Sequence, residues 1–126
     1  MEQLLLAVDF MHNKYIVHRD LKLANILLNS IEEEVLDIRI ADFGLAKKLR
    51  PGQQISEKCG TPTYIAPEVL RGDSYSFKAD IFSLGSIMYN LLTGRYLFDE
   101  EDHNLLLKQN LKCDLTAIQK YLKGVS

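Results

Sequence analysis

The 126 residues include no tryptophan, only three prolines and only two cysteines. So little proline excludes a proline-rich linker. Cys59 and Cys113 stand far apart and form no CxxC pair. That argues against a disulfide framework or a zinc site and fits reduced thiols in a cytoplasmic or nuclear setting. No apolar run reaches the roughly 18 residues of a membrane helix, and the first residues lack the basic start of a secretory signal. Neither sign of charge dominates. Fifteen Lys plus Arg against 17 Asp plus Glu leave a net charge of −2, too balanced for broad electrostatic binding of nucleic acid. The expectation is therefore no membrane and no nucleic-acid partner. Internal repeats and low-complexity segments are also lacking. What is present is globular composition, 47% hydrophobic and 25% charged, enough for at most one small domain with a modest core.

Leu4, Leu5, Ala7, Val8 and Met11 recur at helical spacing, which predicts an amphipathic helix over 2–13 without a clear N-cap. Segments 26–28 and 38–40 read as paired strands. Between them the run Glu32-Glu33-Glu34, followed by Asp37, is expected to be a solvated loop tip. Residues 44–60 have weak periodicity and a Pro51-Gly52 turn signal; ordered loops of this length are usually functional. Pro62 and Pro67 are expected to stiffen its end and oppose helix there. Over 78–92, Ile81, Phe82, Leu84, Ile87, Met88, Leu91 and Leu92 leave few polar positions. This predicts a central helix, apolar nearly all round and closed by Gly94. A helix over 99–111 with Leu105, Leu106 and Leu107 partly on one face, then a short last helix capped by Thr116 and ending near Gly124, complete the pattern.

Three groups of residues point to chemistry. The first is His18-Arg19-Asp20-Leu21-Lys22-Leu23-Ala24-Asn25, the second Asp42-Phe43-Gly44, and the third Gly60-Thr61-Pro62-Thr63-Tyr64-Ile65-Ala66-Pro67-Glu68. Taken singly, Asp20 and Asn25 read as turn formers, Lys22 as a surface charge, and D-F-G as a chance tripeptide. Together they form H-R-D-L-K-x-x-N, D-F-G and A-P-E in that order, with 17 positions from Asn25 to Asp42 and 26 from Asp42 to Glu68. On these residues the chain resembles the C-terminal lobe of a eukaryotic protein kinase, over nearly its whole length. The fold the resemblance implies is mainly α, a kinase-like C-terminal lobe with a small β-hairpin region at the catalytic loop and D-F-G.

The chemistry that the resemblance implies is transfer of the γ-phosphate of Mg-ATP to a protein hydroxyl. This reaction depends on positioning and charge neutralisation. Asp20 would accept the hydroxyl proton and Lys22 would face the transferring phosphate. Asn25 and Asp42 would supply oxygens to Mg²⁺, a hard cation. Thr61 would tie Asp20 and Lys22 together, and Gly44 would let the backbone turn. Leu27 resembles the residue beneath the adenine ring and reads equally well as a core leucine. His18 and Phe43 resemble two members of a stacked apolar column, which is also plain core packing. Asp80 would bind the catalytic-loop backbone, since a charge on so apolar a helix needs partners. Glu68 resembles an acid that pairs with a later Arg.

Lys22 and the Gly60–Glu68 run resemble Ser/Thr kinases, and the acidic loop with Cys59-Gly60-Thr61-Pro62 is similar to the calcium/calmodulin-dependent group. Arg19 resembles the arginine that, here with Lys47, binds an activation-loop phosphate. Glu57 and Ser56 occupy the neighbourhood of that phosphosite. Glu57 either substitutes for the phosphate or is an exposed acid. Ala24 and Asn90 stand where relatives that prefer basic substrates carry acids, which weakens any Arg-directed motif. The N-terminal lobe and the last helices of the family are not in these 126 residues, so the chain is expected to be a partial kinase domain whose partners are ATP and a protein substrate. By itself it is expected to turn over ATP weakly or not at all and to expose apolar surface. The alternative is a truncated, noncatalytic kinase-like interaction module.

Overall fold

A computed structural model describes residues 1–32, 35–116 and 118–122. Helix α1 (Glu2–Asn13) buries Leu4, Val8 and Met11 along one stripe, the spacing of a single helical face. Leu5, grouped with them by periodicity, is exposed instead, together with Leu6 and Phe10. Two short antiparallel ribbons follow. Strand β2 (Ile26–Glu32) pairs with β3 (Val35–Ile40), setting Ile26 opposite Ile40 and Leu28 opposite Ile38, with an irregularity between Leu28 and Ser30. Both strands run past the expected 26–28 and 38–40: Glu32, expected in the loop tip, pairs with Val35, and Asp37 pairs with Ser30, while Glu33 and Glu34 lie outside the described residues. Gln3 stitches α1 to this hairpin: its amide donates to the Leu36 carbonyl at 2.5 Å and accepts from the Ile38 N–H at 3.1 Å. Strand β1 (Ile16–Val17) pairs with β4 (Lys47–Lys48). The long 44–60 segment is thereby fastened at one end by β4 and further on by an Ile55–Tyr75 bridge.

Pro67 opens helix α2 (Pro67–Arg71) rather than opposing one. At the first helical position the missing N–H has no intrahelical partner to lose, and the fixed φ is already helical. Helix α3 (Lys78–Thr93) ends at Gly94, whose φ is 69°. It contributes Ala79 to one core cluster, with Val17, Leu49, Ile55, Ile65 and Val69. It contributes Leu84 and Ile87 to the other, with Leu4, Val8, Met11, Leu21 and Tyr64. The helix is central in that sense, but Ile81, Met88, Leu91 and Leu92 are exposed. The described residues cover one of its faces; of the exposed four, Met88 and Leu92 line an apolar cleft of about 290 Å³ shared with Leu115, Ile118 and Leu122. Helix α4 spans His103–Lys112 and not the expected 99–111; it starts later because the Asp102 side chain caps it by accepting from the N–H groups of Asn104 and Leu105. Helix α5 spans Ile118–Leu122; its expected end near Gly124 lies outside the described residues. Among the described residues no helix is long and apolar enough to cross a membrane.

Candidate functional site

The chain leaving β1 reaches the site within three residues. His18 is fully buried. Its backbone N–H donates to Asp80 Oδ2 and that of Arg19 to Asp80 Oδ1, both at 2.9 Å. Asp80 sits in the first turn of α3, and its carboxylate also meets His12 Nε2 at 2.9 Å. A buried charge needs such partners, and here they hold a strained backbone. Arg19 has φ 71° and Asp42 φ 59°, conformations that cost a non-glycine residue about 1–3 kcal/mol. The strain at D-F-G therefore falls on Asp42 and not on Gly44. Gly44 serves by its size: a Cβ there would lie 3.1 Å from Asp42 Oδ1, the oxygen that accepts the Gly44 N–H at 3.2 Å.

Four of the residues singled out by motif converge. Asp20 Oδ1 accepts the Thr61 hydroxyl at 2.6 Å. Asp20 Oδ2 meets Lys22 Nζ at 3.0 Å, and Lys22 also donates to Thr61 Oγ1 at 2.9 Å. Asn25, in a 3₁₀ turn (Leu23–Asn25) and nearly fully buried, donates its amide to the Asp20 carbonyl at 2.9 Å. That commitment leaves its Oδ1 as the acceptor end. The Ala41 N–H donates to the Asn25 carbonyl at 2.8 Å, so Asp42 follows directly from a residue bonded to Asn25. A neutral amide oxygen and an exposed carboxylate suit a hard cation such as Mg²⁺, which takes few protein ligands and shares the rest with water and phosphate. No group of three His, Cys, Asp or Glu side chains that could hold a metal gathers among the described residues. Gly60 enters this cluster where no side chain fits: its φ is 121°, and a Cβ would come 2.8 Å from the Arg19 carbonyl.

A second cluster is ionic. Glu57 Oε2 takes Arg19 Nη1 and Glu57 Oε1 takes Lys47 Nζ, each at 2.7 Å. Arg19 also donates Nε to the Leu45 carbonyl at 2.6 Å. Lys47 and then Arg19 hold the Glu57 carboxyl below its ordinary value of 4.5. A depressed carboxylate contributes order that is present above the ordinary value and lost as pH falls through the lower one. We therefore expect limited proteolysis within 50–58 to accelerate in Glu57→Gln at neutral pH. The wild-type chain should behave the same way only below pH 4.5, and more readily at high salt. Equal cleavage of the two proteins at pH 7 would contradict this. Tyr75 also holds the segment, donating its hydroxyl to the Glu57 carbonyl at 2.7 Å; burial pushes that phenol up to about 12.

The remaining motif residues are less engaged. Phe43 is about half exposed, so plain core packing does not describe it; its ring meets His18 edge-on at 5.0 Å. Leu27 is also about half exposed, on the outer side of β2, and is not a core leucine. Ser56 is exposed, and Glu68 has no ion-pair partner among the described residues. His12 and Tyr75 were not singled out from the sequence; each acts through a partner at least 16 residues away.

The protein kinase domain family matches residues 1–124. An atypical protein kinase C of Drosophila melanogaster is 47% identical over 95 residues, 75% of this chain and 15% of that protein. A probable myosin light chain kinase of Dictyostelium discoideum is 45% identical over 112 residues, 89% of this chain and 32% of that protein. The serine/threonine-protein kinase polo of Drosophila melanogaster is 38% identical over 122 residues, 96% of this chain and 20% of that protein. The chain thus spans no more than about a third of the length of these relatives. With a match over nearly all of its length, and with the motif residues gathered around Asp20, the chain belongs to the protein kinase family.

Proposed function

We propose that the chain is the acceptor-side half of a Ser/Thr protein kinase domain, and that the full protein transfers the γ-phosphoryl group of ATP to protein hydroxyls. The observation that carries this is the Asp20 carboxylate held by Thr61 on one oxygen and Lys22 on the other. A carboxylate accepts about four hydrogen bonds, so Asp20 keeps capacity for a substrate O–H. The proton of that hydroxyl passes to Asp20 while its oxygen forms the new bond to phosphorus and the bond to the ADP leaving group breaks. Lys22, only partly buried, presents a positive charge to the phosphoryl oxygens. Asn25 and Asp42 would hold Mg²⁺, which when bound neutralises phosphate charge. Leu27 offers an apolar surface of the kind an adenine ring covers.

Glu57 fits the role of a permanent substitute for an activation-loop phosphate, since its carboxylate pairs with both Arg19 and Lys47. Placement near the calcium/calmodulin-dependent group rests on the acidic loop before D-F-G and the Cys59-Gly60-Thr61-Pro62 run. The need for ATP goes with a cytoplasmic or nuclear setting. The test is phosphoamino-acid analysis of an acceptor protein labelled by the full-length protein. Label on Ser and Thr is expected, and label confined to Tyr would overturn the Ser/Thr reading. A second reading, a noncatalytic binding module, draws on the apolar side chains exposed along α1 and α3. It predicts no label at all.

A further inference from the structure

Among the described residues the loop joining Thr61 to α2 has no strand partner, yet its carbonyls are occupied one after another. Asn110 Nδ2 donates to the Pro62 carbonyl at 3.1 Å and to the Ile65 carbonyl at 2.9 Å. Ser86 Oγ donates to the Thr63 carbonyl at 3.3 Å and Ser83 Oγ to the Tyr64 carbonyl at 2.8 Å. Two helices, α3 and α4, thus grip four consecutive residues from one side, and a single side chain takes the first and the last of the four. Asn110 is fully buried, and its Oδ1 has no partner among the described residues. Reversing the amide would set that oxygen against two carbonyls, so the orientation is fixed by chemistry. Asn110 acts here as a donor only.

The loop begins at Thr61, whose hydroxyl is bonded to Asp20. An acceptor hydroxyl that reaches Asp20 brings its flanking residues over the chain that leaves Thr61. The height and tilt of 62–65 then decide how an acceptor segment lies. We propose that Asn110 is a positioning residue for the protein substrate: it pins the 62–65 loop to α4 and so fixes the surface on which the acceptor segment rests beside Asp20. The proposal rests on the kinase reading above. Its structural half, the pinning, does not.

The experiment compares Asn110→Leu, Asn110→Asp, Ser86→Ala and the exposed-site control Lys108→Ala with wild type in the full-length protein. Losing two buried hydrogen bonds shifts the balance toward a displaced loop by on the order of tenfold or more. The KM for the acceptor protein should rise by about that factor in Asn110→Leu. The KM for ATP should stay within about twofold, because Asp20, Lys22 and Thr61 keep their mutual contacts. Asn110→Asp should be at least as impaired, since a carboxylate would oppose two carbonyls. Ser86→Ala, which loses one long bond, should show a smaller shift in the same direction, and Lys108→Ala none. Hydrogen exchange at the Tyr64 and Ile65 amides should accelerate in both Asn110 variants. Unchanged exchange overturns the pinning. Faster exchange with both KM values moving together, or neither, overturns the substrate role. Absence of transfer by the wild-type protein overturns the kinase reading and the substrate role with it, while the exchange result still decides the pinning.

Discussion

Asp20→Asn should lower kcat by about 10²–10⁴, the range that a positioned general base contributes, while leaving the KM for ATP within about twofold. The substitution preserves size but not function. One end of the new amide must face either Thr61 Oγ1, now 2.6 Å from Oδ1, or Lys22 Nζ, now 3.0 Å from Oδ2. An amide N–H directed at Lys22 opposes an ammonium. Directed at Thr61, it meets a hydroxyl oxygen that already accepts from Lys22. In either orientation the carboxylate that would take the substrate proton is gone. Phosphoryl transfer retains what positioning and charge neutralisation supply without the base, so residual activity is expected rather than none. Asp20 is mostly buried but lies at the edge of the core, and the fold should survive, with a thermal midpoint within a few degrees of wild type. Steady-state kinetics on the full-length protein check the prediction. A fall of less than tenfold in kcat would remove Asp20 from the chemistry, and a loss of folding would make it a structural acid.

The parts of this architecture legible in the sequence are those written in short, local patterns. Helix α1, the β2–β3 hairpin and the ends of α3 follow from periodicity and from Gly94, because each signal lies within one element. The motif residues were legible because the order and spacing of three groups carried more information than any residue alone. The rest depended on contacts between distant segments. His12 and Asp80 are 68 positions apart, and Asn110 and Ile65 are 45 apart; neither pair leaves a periodic trace. Pro67 carries the same local chemistry whether it breaks a helix or begins one, and only the docking of α2 decides between them. Asp102 competes with Asp99, Glu100 and Glu101 as a cap, so composition places the start of α4 poorly. The apolar residues of α3 read as core on every side because hydrophobicity records that a side chain should be covered, not what covers it. Met88, Leu91 and Leu92 are exposed among the described residues for that reason.

Asp80→Ala should be the most damaging single change to the fold, at about 3–5 kcal/mol, the cost of breaking a buried, hydrogen-bonded charge network. The carboxylate is 1% exposed and occupies both of its oxygens, with His18 N–H and His12 on one and Arg19 N–H on the other. Alanine leaves two backbone donors and an imidazole without their acceptor where water does not readily replace it, and each such group costs about 1–3 kcal/mol. Against a total stability of roughly 5–15 kcal/mol for a domain, that is a large share. It should appear as a drop of roughly 10–20 °C in the thermal midpoint. Asp80→Asn keeps one acceptor and should lie between wild type and alanine. The loss also reaches the site, because the same carboxylate holds the left-handed backbone at Arg19, one residue before Asp20. Once it is released, Arg19 relaxes toward ordinary φ and Asp20 turns with it. Asp80→Asn should therefore lose far more transfer activity than its stability loss accounts for at a temperature where it is fully folded. Combining Asp80→Ala with His12→Phe tests the partnership directly: groups in contact couple by about 0.5–3 kcal/mol, so the double variant should be less destabilised than the sum of the two singles. Additive losses in chemical denaturation would show that His12 and Asp80 act independently.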